Sequence, residues 1–430
     1  MRKQLSLLMV GVLALLAAVS CASGGGGATG GARESAGATG SKGAGDLAGD
    51  IQVNIESGGA GEDLTPILMR VVEPPEPVKG SDGKFHLVYE LKLTNVSPGM
   101  AKVKSVKTID PSSGKVVGTL ADAGVAARMT LLGDLSLEET TKIGAGQTTL
   151  VFLDATFEDP GDVPEAIEHR LKVSFKIPAT FASNIFPTAT TEIGARTEVS
   201  REKPVVLGPP LKGKNWVAFN GCCTVSSHRG AMIALDQRLL ATERYAIDWI
   251  KADDQGRVTA GFPGDPKKLK SYPSYGKPVL SVADGEVVKV VDKYPDVTPS
   301  EPDLSLKLEA LGGNYVIVDI GGGRYAFYAH LKPDSIKVEE GDRVTRGQKL
   351  ARLGNSGNTT APHLHFHVMD APVPLGADRN LPYVFDAFDY QGAVKEDATP
   401  DNITLDLLGT PEPRKDELPL ANSSVTFAAP

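Results

Sequence analysis

The chain has 430 residues, with 45 Lys and Arg against 53 Asp and Glu, giving a formal net charge of −8. That length allows two or three domains and a sizeable core. An acidic chain without a visible basic cluster argues against nucleic acid as a partner and against electrostatic adhesion to anionic lipid, and three cysteines cannot build a disulfide framework.

Residues 1–20 read as a signal peptide, in which Arg2 and Lys3 supply positive charge and residues 5–19 form an apolar run too short for a stop-transfer helix. The run ends Leu16-Ala17-Ala18-Val19-Ser20-Cys21, which resembles a bacterial lipobox with Ala18 in place of the usual leucine. The resemblance implies that Cys21 is lipidated and becomes the mature N-terminus. Several acyl chains, each methylene contributing roughly 0.8 kcal/mol, make a stable membrane anchor. An ordinary cleaved secretory signal with an incidental cysteine is the alternative. Ala22 stands where an aspartate would imply the inner membrane, so the expected location is the periplasmic face of the outer membrane.

Residues 21–50 are dominated by Gly, Ala and Ser without apolar periodicity and read as a tether. About thirty such residues have a root-mean-square span of roughly 30 Å and a maximum reach of about 100 Å.

Residues 51–205 read as β. Phe85, Leu87, Tyr89, Leu91 and Leu93 alternate with His86, Val88, Glu90, Lys92 and Thr94, the period-2 pattern of a half-buried antiparallel strand. Further short runs at 103–109, 115–120, 148–157 and 170–176 are separated by turn residues and suggest an immunoglobulin-like sandwich. His86 and His169 lack a ligand partner at useful spacing and read as structural. The sandwich itself reads as a spacer, or as a docking surface for an envelope protein.

A Pro, Gly and Lys-rich stretch at 203–214 marks the boundary to a second domain, 206–395, and residues 396–430 read as a Pro-rich C-terminal tail. Residues 277–288 read as strand, Asp284-Gly285 turn and strand, and residues 315–331 as a hairpin turning at Gly321-Gly322-Gly323. The densest chemistry is Ala361-Pro362-His363-Leu364-His365-Phe366-His367-Val368. As a strand it sets three of the chain's seven histidines on one face and Leu364, Phe366 and Val368 on the other. Three imidazoles on one strand face give up packing for ligation or proton transfer. A solvated strand face is the plainer reading.

Four segments then stand in a fixed order: Ala283-Asp284-Gly285-Glu286-Val287, Tyr328-Ala329-His330-Leu331, Gly341-Asp342-Arg343-Val344 with Gly347-Gln348, and His363-Leu364-His365-Phe366. Together they resemble the lysostaphin and LytM family of zinc metallopeptidases, closely over residues 277–370 and loosely over 216–253. The resemblance implies an all-β chain in which an antiparallel β peptidase domain with hammerhead-like hairpins follows the sandwich. It also implies zinc-dependent cleavage of peptidoglycan peptides. By position, His365 and Asp248 correspond to zinc ligands, His363 to the base that activates water, and His330 to the histidine that assists it or stabilises the oxyanion. A catalytic zinc takes three protein ligands and keeps one position open.

The family's first ligand is a histidine four residues before the aspartate, and here that position is Arg244, which stays protonated and cannot ligate. His228, twenty residues before Asp248, is the expected replacement, with a thiolate from Cys222 or Cys223 or no competent metal site as alternatives. The last corresponds to another class of function, a degenerate metal-free domain that binds the wall or activates a partner hydrolase. The adjacent cysteines read as structural, a vicinal disulfide or a soft ligand being the other options. His367 reads either as a support for His365 or as an exposed satellite.

Overall fold

A computed structural model describes residues 64–133, 139–178, 186–258, 264–302, 305–377, 379–398 and 403–428. The expected signal peptide, Cys21 and the tether lie outside the described residues. The described chain is all-β, with antiparallel pairing throughout its large sheets.

The N-terminal part is a sandwich of two five-stranded sheets. One is built around Phe85–Asn95, which pairs with Ile67–Val71 and Thr148–Phe157; the other pairs Met100–Ile109 with Ala166–Lys176. Leu87, Tyr89, Leu91 and Leu93 fill the space between the sheets, as their alternation requires. The other face of that strand departs from expectation. His86, Val88 and Glu90 are buried too, and Val88 belongs to the core of the C-terminal half. The strand is half-buried only from Lys92 onward, because its first half is covered on both sides.

An eleven-stranded sheet carries the C-terminal half, with the strands Asn314–Asp319, Tyr325–Leu331, Leu364–Met369, Ile247–Lys251 and Gly213–Phe219 adjacent in that order. The hairpin at 315–331 forms as read, its three glycines all at positive φ. The expected hairpin at 277–288 does not form. Pro278–Leu280 pairs with Lys349–Arg352 in a separate sheet, whereas Gly285–Val291 joins the large one. Gly285 is needed there for closeness, since a Cβ on it would lie 2.3 Å from the carbonyl oxygen of Asp319.

Two further readings change. Within the expected boundary stretch, Val205–Leu207 pairs in parallel with Tyr383–Phe385. Residues 396–430 supply Leu405–Arg414 and Ser423–Phe427 to the large sheet in place of a loose tail. Leu405–Arg414 is almost wholly exposed, so its sequence lacks the alternation that marks a strand against a core. Ser423–Phe427 is buried, and Phe427 packs against Trp249 and Phe385 with ring centroids 5.2 Å away in each case. Phe427→Ala is expected to lower the unfolding free energy by about 3–5 kcal/mol in denaturant titration. A loss below about 1 kcal/mol would mean that this strand is not part of the core.

Candidate metal centre and its cavity

The site grows from the register of three strands. Asp248 pairs with His365, and Ala329 pairs with His365 from the other side, so the two strand pairings bring Asp248, His365 and the end of Tyr325–Leu331 together. Alternation fixes the faces: Ile247, Trp249, Leu364 and Phe366 enter the main core while Asp248 and His365 line the cavity on the opposite face.

The remaining residues sit in or beside the ends of short elements. His228 sits in the single helical turn Ser227–Gly230, where the Ser226 side chain accepts from the Arg229 amide. His363 immediately precedes its strand. His330 is the last residue but one of the strand Tyr325–Leu331, at φ 59, its amide donating to the carbonyl of Gly312 and its carbonyl accepting from Gly354. That conformation costs a non-glycine residue energy and persists where its surroundings impose it.

All five side chains are buried or nearly so. The Asp248 carboxylate is their hub: Oδ1 lies 3.1 Å from His365 Nδ1 and 3.2 Å from His363 Nε2, and Oδ2 lies 3.2 Å from His228 Nε2. Asn220 Nδ2 also donates to Oδ2 at 2.7 Å. Burial works against ionising Asp248, but His228 and His363 hold its carboxyl well below the usual carboxylate range. Burial likewise works against charging His228, and the Asp248 carboxylate outweighs it, raising the imidazole to about 9.

The protons on three of the rings follow from their partners, because a carbonyl oxygen only accepts. His228 Nδ1 donates to Ala246 O at 3.1 Å, His363 Nδ1 to Ala361 O at 2.7 Å, and His330 Nδ1 to Ser356 O at 2.8 Å. Each ring therefore has Nε2 as its basic nitrogen. Burial, then His363 and His365, hold His330 well below the ordinary histidine range, so it is neutral.

His228, Asp248 and His365 bring one ligand atom each within 4.8 Å of one another. Two imidazole nitrogens and a carboxylate oxygen form a donor set that suits zinc, and a carboxylate wrapped in imidazoles calls for positive charge in its midst. The residues therefore fit the metal. His86, Asp154 and Cys223 are also close, but Cys223 is disulfide-bonded to Cys222 and both nitrogens of His86 already face carboxylates, of Asp154 and Asp82. The vicinal disulfide sets aside the thiolate-ligand option for Cys222 and Cys223. His169, the other sandwich histidine, is buried and bonded to the Tyr89 hydroxyl at 2.9 Å.

Beside the donor set lies a cavity of about 390 Å³, walled by Ile233, Leu235, Leu311, Tyr315, Val373 and Leu375 among others. Leu308, Leu311 and Gly312, which precede the strand Asn314–Asp319, are on that wall. Glu243 lines it as well, its Oε1 3.8 Å from His365 Nε2.

Sequence reading missed several partners. His367 is fully buried, not an exposed satellite, and its Nδ1 lies 3.0 Å from His365 Nε2. Asn220 and Glu243 carry no motif, and nothing in the sequence marks them. Arg244, at the position where the resemblance puts a ligand, is drawn away from the cavity to Glu90 and Glu73.

Residues 270–376 match Peptidase family M23. That segment contains His330, His363 and His365, while His228 and Asp248 precede it. The chain is 37% identical over 102 residues to the peptidoglycan DD-endopeptidase ShyB of Vibrio cholerae, covering 24% of this chain and 20% of that protein. It is 29% identical over 156 residues to the peptidoglycan DD-endopeptidase ShyA of the same organism, covering 33% and 30%. It thus spans about a fifth to a third of the length of these relatives. The solved catalytic domain of lysostaphin from Staphylococcus simulans aligns with 39% of this chain and 88% of its own, at 18% identity and a TM-score of 0.22.

Replacing His228 by Ala is expected to weaken zinc binding by more than the roughly 10–100-fold typical of outer partners. Zinc content by elemental mass spectrometry tests this, and full occupancy in the variant would remove His228 from the donor set.

Proposed function

We propose that the protein is a zinc-dependent endopeptidase that hydrolyses peptide bonds of peptidoglycan, a reading supported by the match of residues 270–376 to Peptidase family M23. The observation that carries this reading is the meeting of His228, Asp248 and His365 with two further imidazoles, His330 and His363, in one cavity. The residues that would hold zinc are His228 through Nε2, Asp248, and His365 through Nδ1. Zinc, when bound, supplies Lewis-acid chemistry, polarising a carbonyl and making a water more acidic.

The chain's own groups handle the protons. His363 Nε2 takes a proton from water as the water oxygen bonds to the carbonyl carbon, and returns it to the amine nitrogen as the carbon–nitrogen bond breaks. Its Nδ1–H stays with Ala361 O and Thr359 Oγ1, which fixes the ring. His330 Nε2 is a second basic atom, its ring centroid 4.6 Å from that of His363. Neutral and with its proton on Nδ1, it fits the part of the histidine that assists the base. His367 Nδ1 can accept from His365 Nε2–H, which leaves the lone pair of His365 on Nδ1.

The metal-free alternative was suggested by Arg244 alone. The pairing of Arg244 with Glu90 and Glu73, together with the position of His228 beside Asp248, favours the zinc reading. We further propose that Cys21 carries the lipid, so that the tether holds the catalytic body off the periplasmic face of the outer membrane.

Three measurements test these assignments. His363→Ala is expected to retain zinc and to lose roughly 10²–10⁴-fold in turnover of muropeptides; loss of the metal would mean that the roles of His363 and His365 are reversed. Purified sacculi should release soluble fragments while a denatured protein substrate stays intact, and the opposite pattern would make this a protein-directed peptidase. Cys21→Ser is expected to move the protein from the membrane pellet to the soluble fraction, and unchanged sedimentation would rule out the anchor.

A further inference from the structure

We infer that Glu90, on the N-terminal sandwich, is a positioning residue for the metal site of the C-terminal half. The inference rests on the zinc reading above. Glu90 is fully buried on the strand Phe85–Asn95, and its two oxygens take different guanidinium groups. Oε1 accepts from Arg229 Nε at 3.3 Å and Nη2 at 3.0 Å; Oε2 accepts from Arg244 Nε at 3.0 Å and Nη2 at 2.5 Å. Burial opposes the charge on Glu90, but the two arginines hold its carboxyl below the usual range.

These two arginines flank the donor set in the chain. Arg229 follows His228 directly, and Arg244 stands four residues before Asp248. One carboxylate of the sandwich thereby ties together the two segments that bring His228 and Asp248 to the site. Arg229 also donates from Nη2 to the carbonyls of Tyr89 at 3.0 Å and Leu153 at 3.2 Å on the sandwich, and from Nη1 to Cys223 O at 3.0 Å on its own loop. Arg244 Nη1 reaches Glu73 Oε2, also of the sandwich, at 3.1 Å.

His228 depends on such an anchor. It lies in a helical turn of four residues, and a single turn has little stability of its own. What holds Arg229 therefore holds His228. The sandwich is in this respect a component of the metal site, and neither a passive spacer nor only a docking surface.

The test uses residues 22–430 and compares the parent with Glu90→Gln, reading zinc affinity by chelator competition and the visible absorption of the cobalt(II)-substituted protein. Glu90→Gln is expected to weaken zinc binding at least tenfold and to change the cobalt spectrum, with muropeptide turnover at saturating zinc falling as well. A purely structural role would lower the Tm of the metal-free chain without moving either metal readout. Equal affinity and an unchanged spectrum would overturn the inference. If Glu90→Gln fails to fold because it leaves Arg229 buried without a carboxylate partner, the combination Glu73→Gln, Glu90→Gln, Arg229→Met and Arg244→Met removes the whole cluster without leaving a charge and decides the matter. The same tenfold loss in that folded variant supports the inference, and parental affinity overturns it. A parent that takes up no zinc defeats the zinc reading and this inference with it, whereas zinc-competent parent and variants alike defeat only the inference.

Discussion

A carboxylate with 4% of its residue exposed cannot stand alone, and the burial of Asp248 is the constraint from which the rest of the site follows. Its charge is met by His228, His363, His365 and Asn220 within 3.2 Å. Those rings are fixed in turn by groups that do no chemistry themselves: the carbonyls of Ala246 and Ala361, and the side chain of His367. The two carbonyls fix which nitrogen of His228 and of His363 carries a proton, so the basic atoms of those rings are chosen before any ligand arrives.

A second buried charge centre lies behind the first. Glu90, Glu73, Arg229 and Arg244 meet where the sandwich covers the C-terminal half, and both arginines rank among the largest fully buried side chains. Two acids and two bases leave the cluster neutral, which makes the burial tolerable, although such clusters specify geometry more than they add stability. The two centres share chain segments, since Arg229 neighbours His228 and Arg244 shortly precedes Asp248. A substitution at one is therefore felt at the other. Arg244 can stand where the resemblance puts a ligand because its guanidinium pairs with Glu90 and Glu73.

Much of this was legible in the sequence where periodicity and chemistry coincide. Alternation in Leu364–Met369 separates Phe366 in the core from His365 at the site, and the register then puts Asp248 opposite His365. The selection of His228 rested on elimination, and the turn that carries it near Asp248 has no sequence signature beyond its Ser226 cap. Glu90 was hidden because a period-2 strand places it on the face that would be wet in an isolated domain; only the second domain buries it. The strand Leu405–Arg414 was hidden by Pro411, Pro413 and its exposure, conditions that an edge strand tolerates. The Asp284-Gly285 pair misled because glycine serves there for close approach to Asp319 and not for a turn.

The most direct measurement of the central claim is a crystal structure of the zinc-reconstituted protein with anomalous data collected at the zinc edge. The account predicts one peak within about 2.0–2.2 Å of His228 Nε2, a carboxylate oxygen of Asp248 and His365 Nδ1. A peak held by other side chains, or no peak after reconstitution, would contradict it.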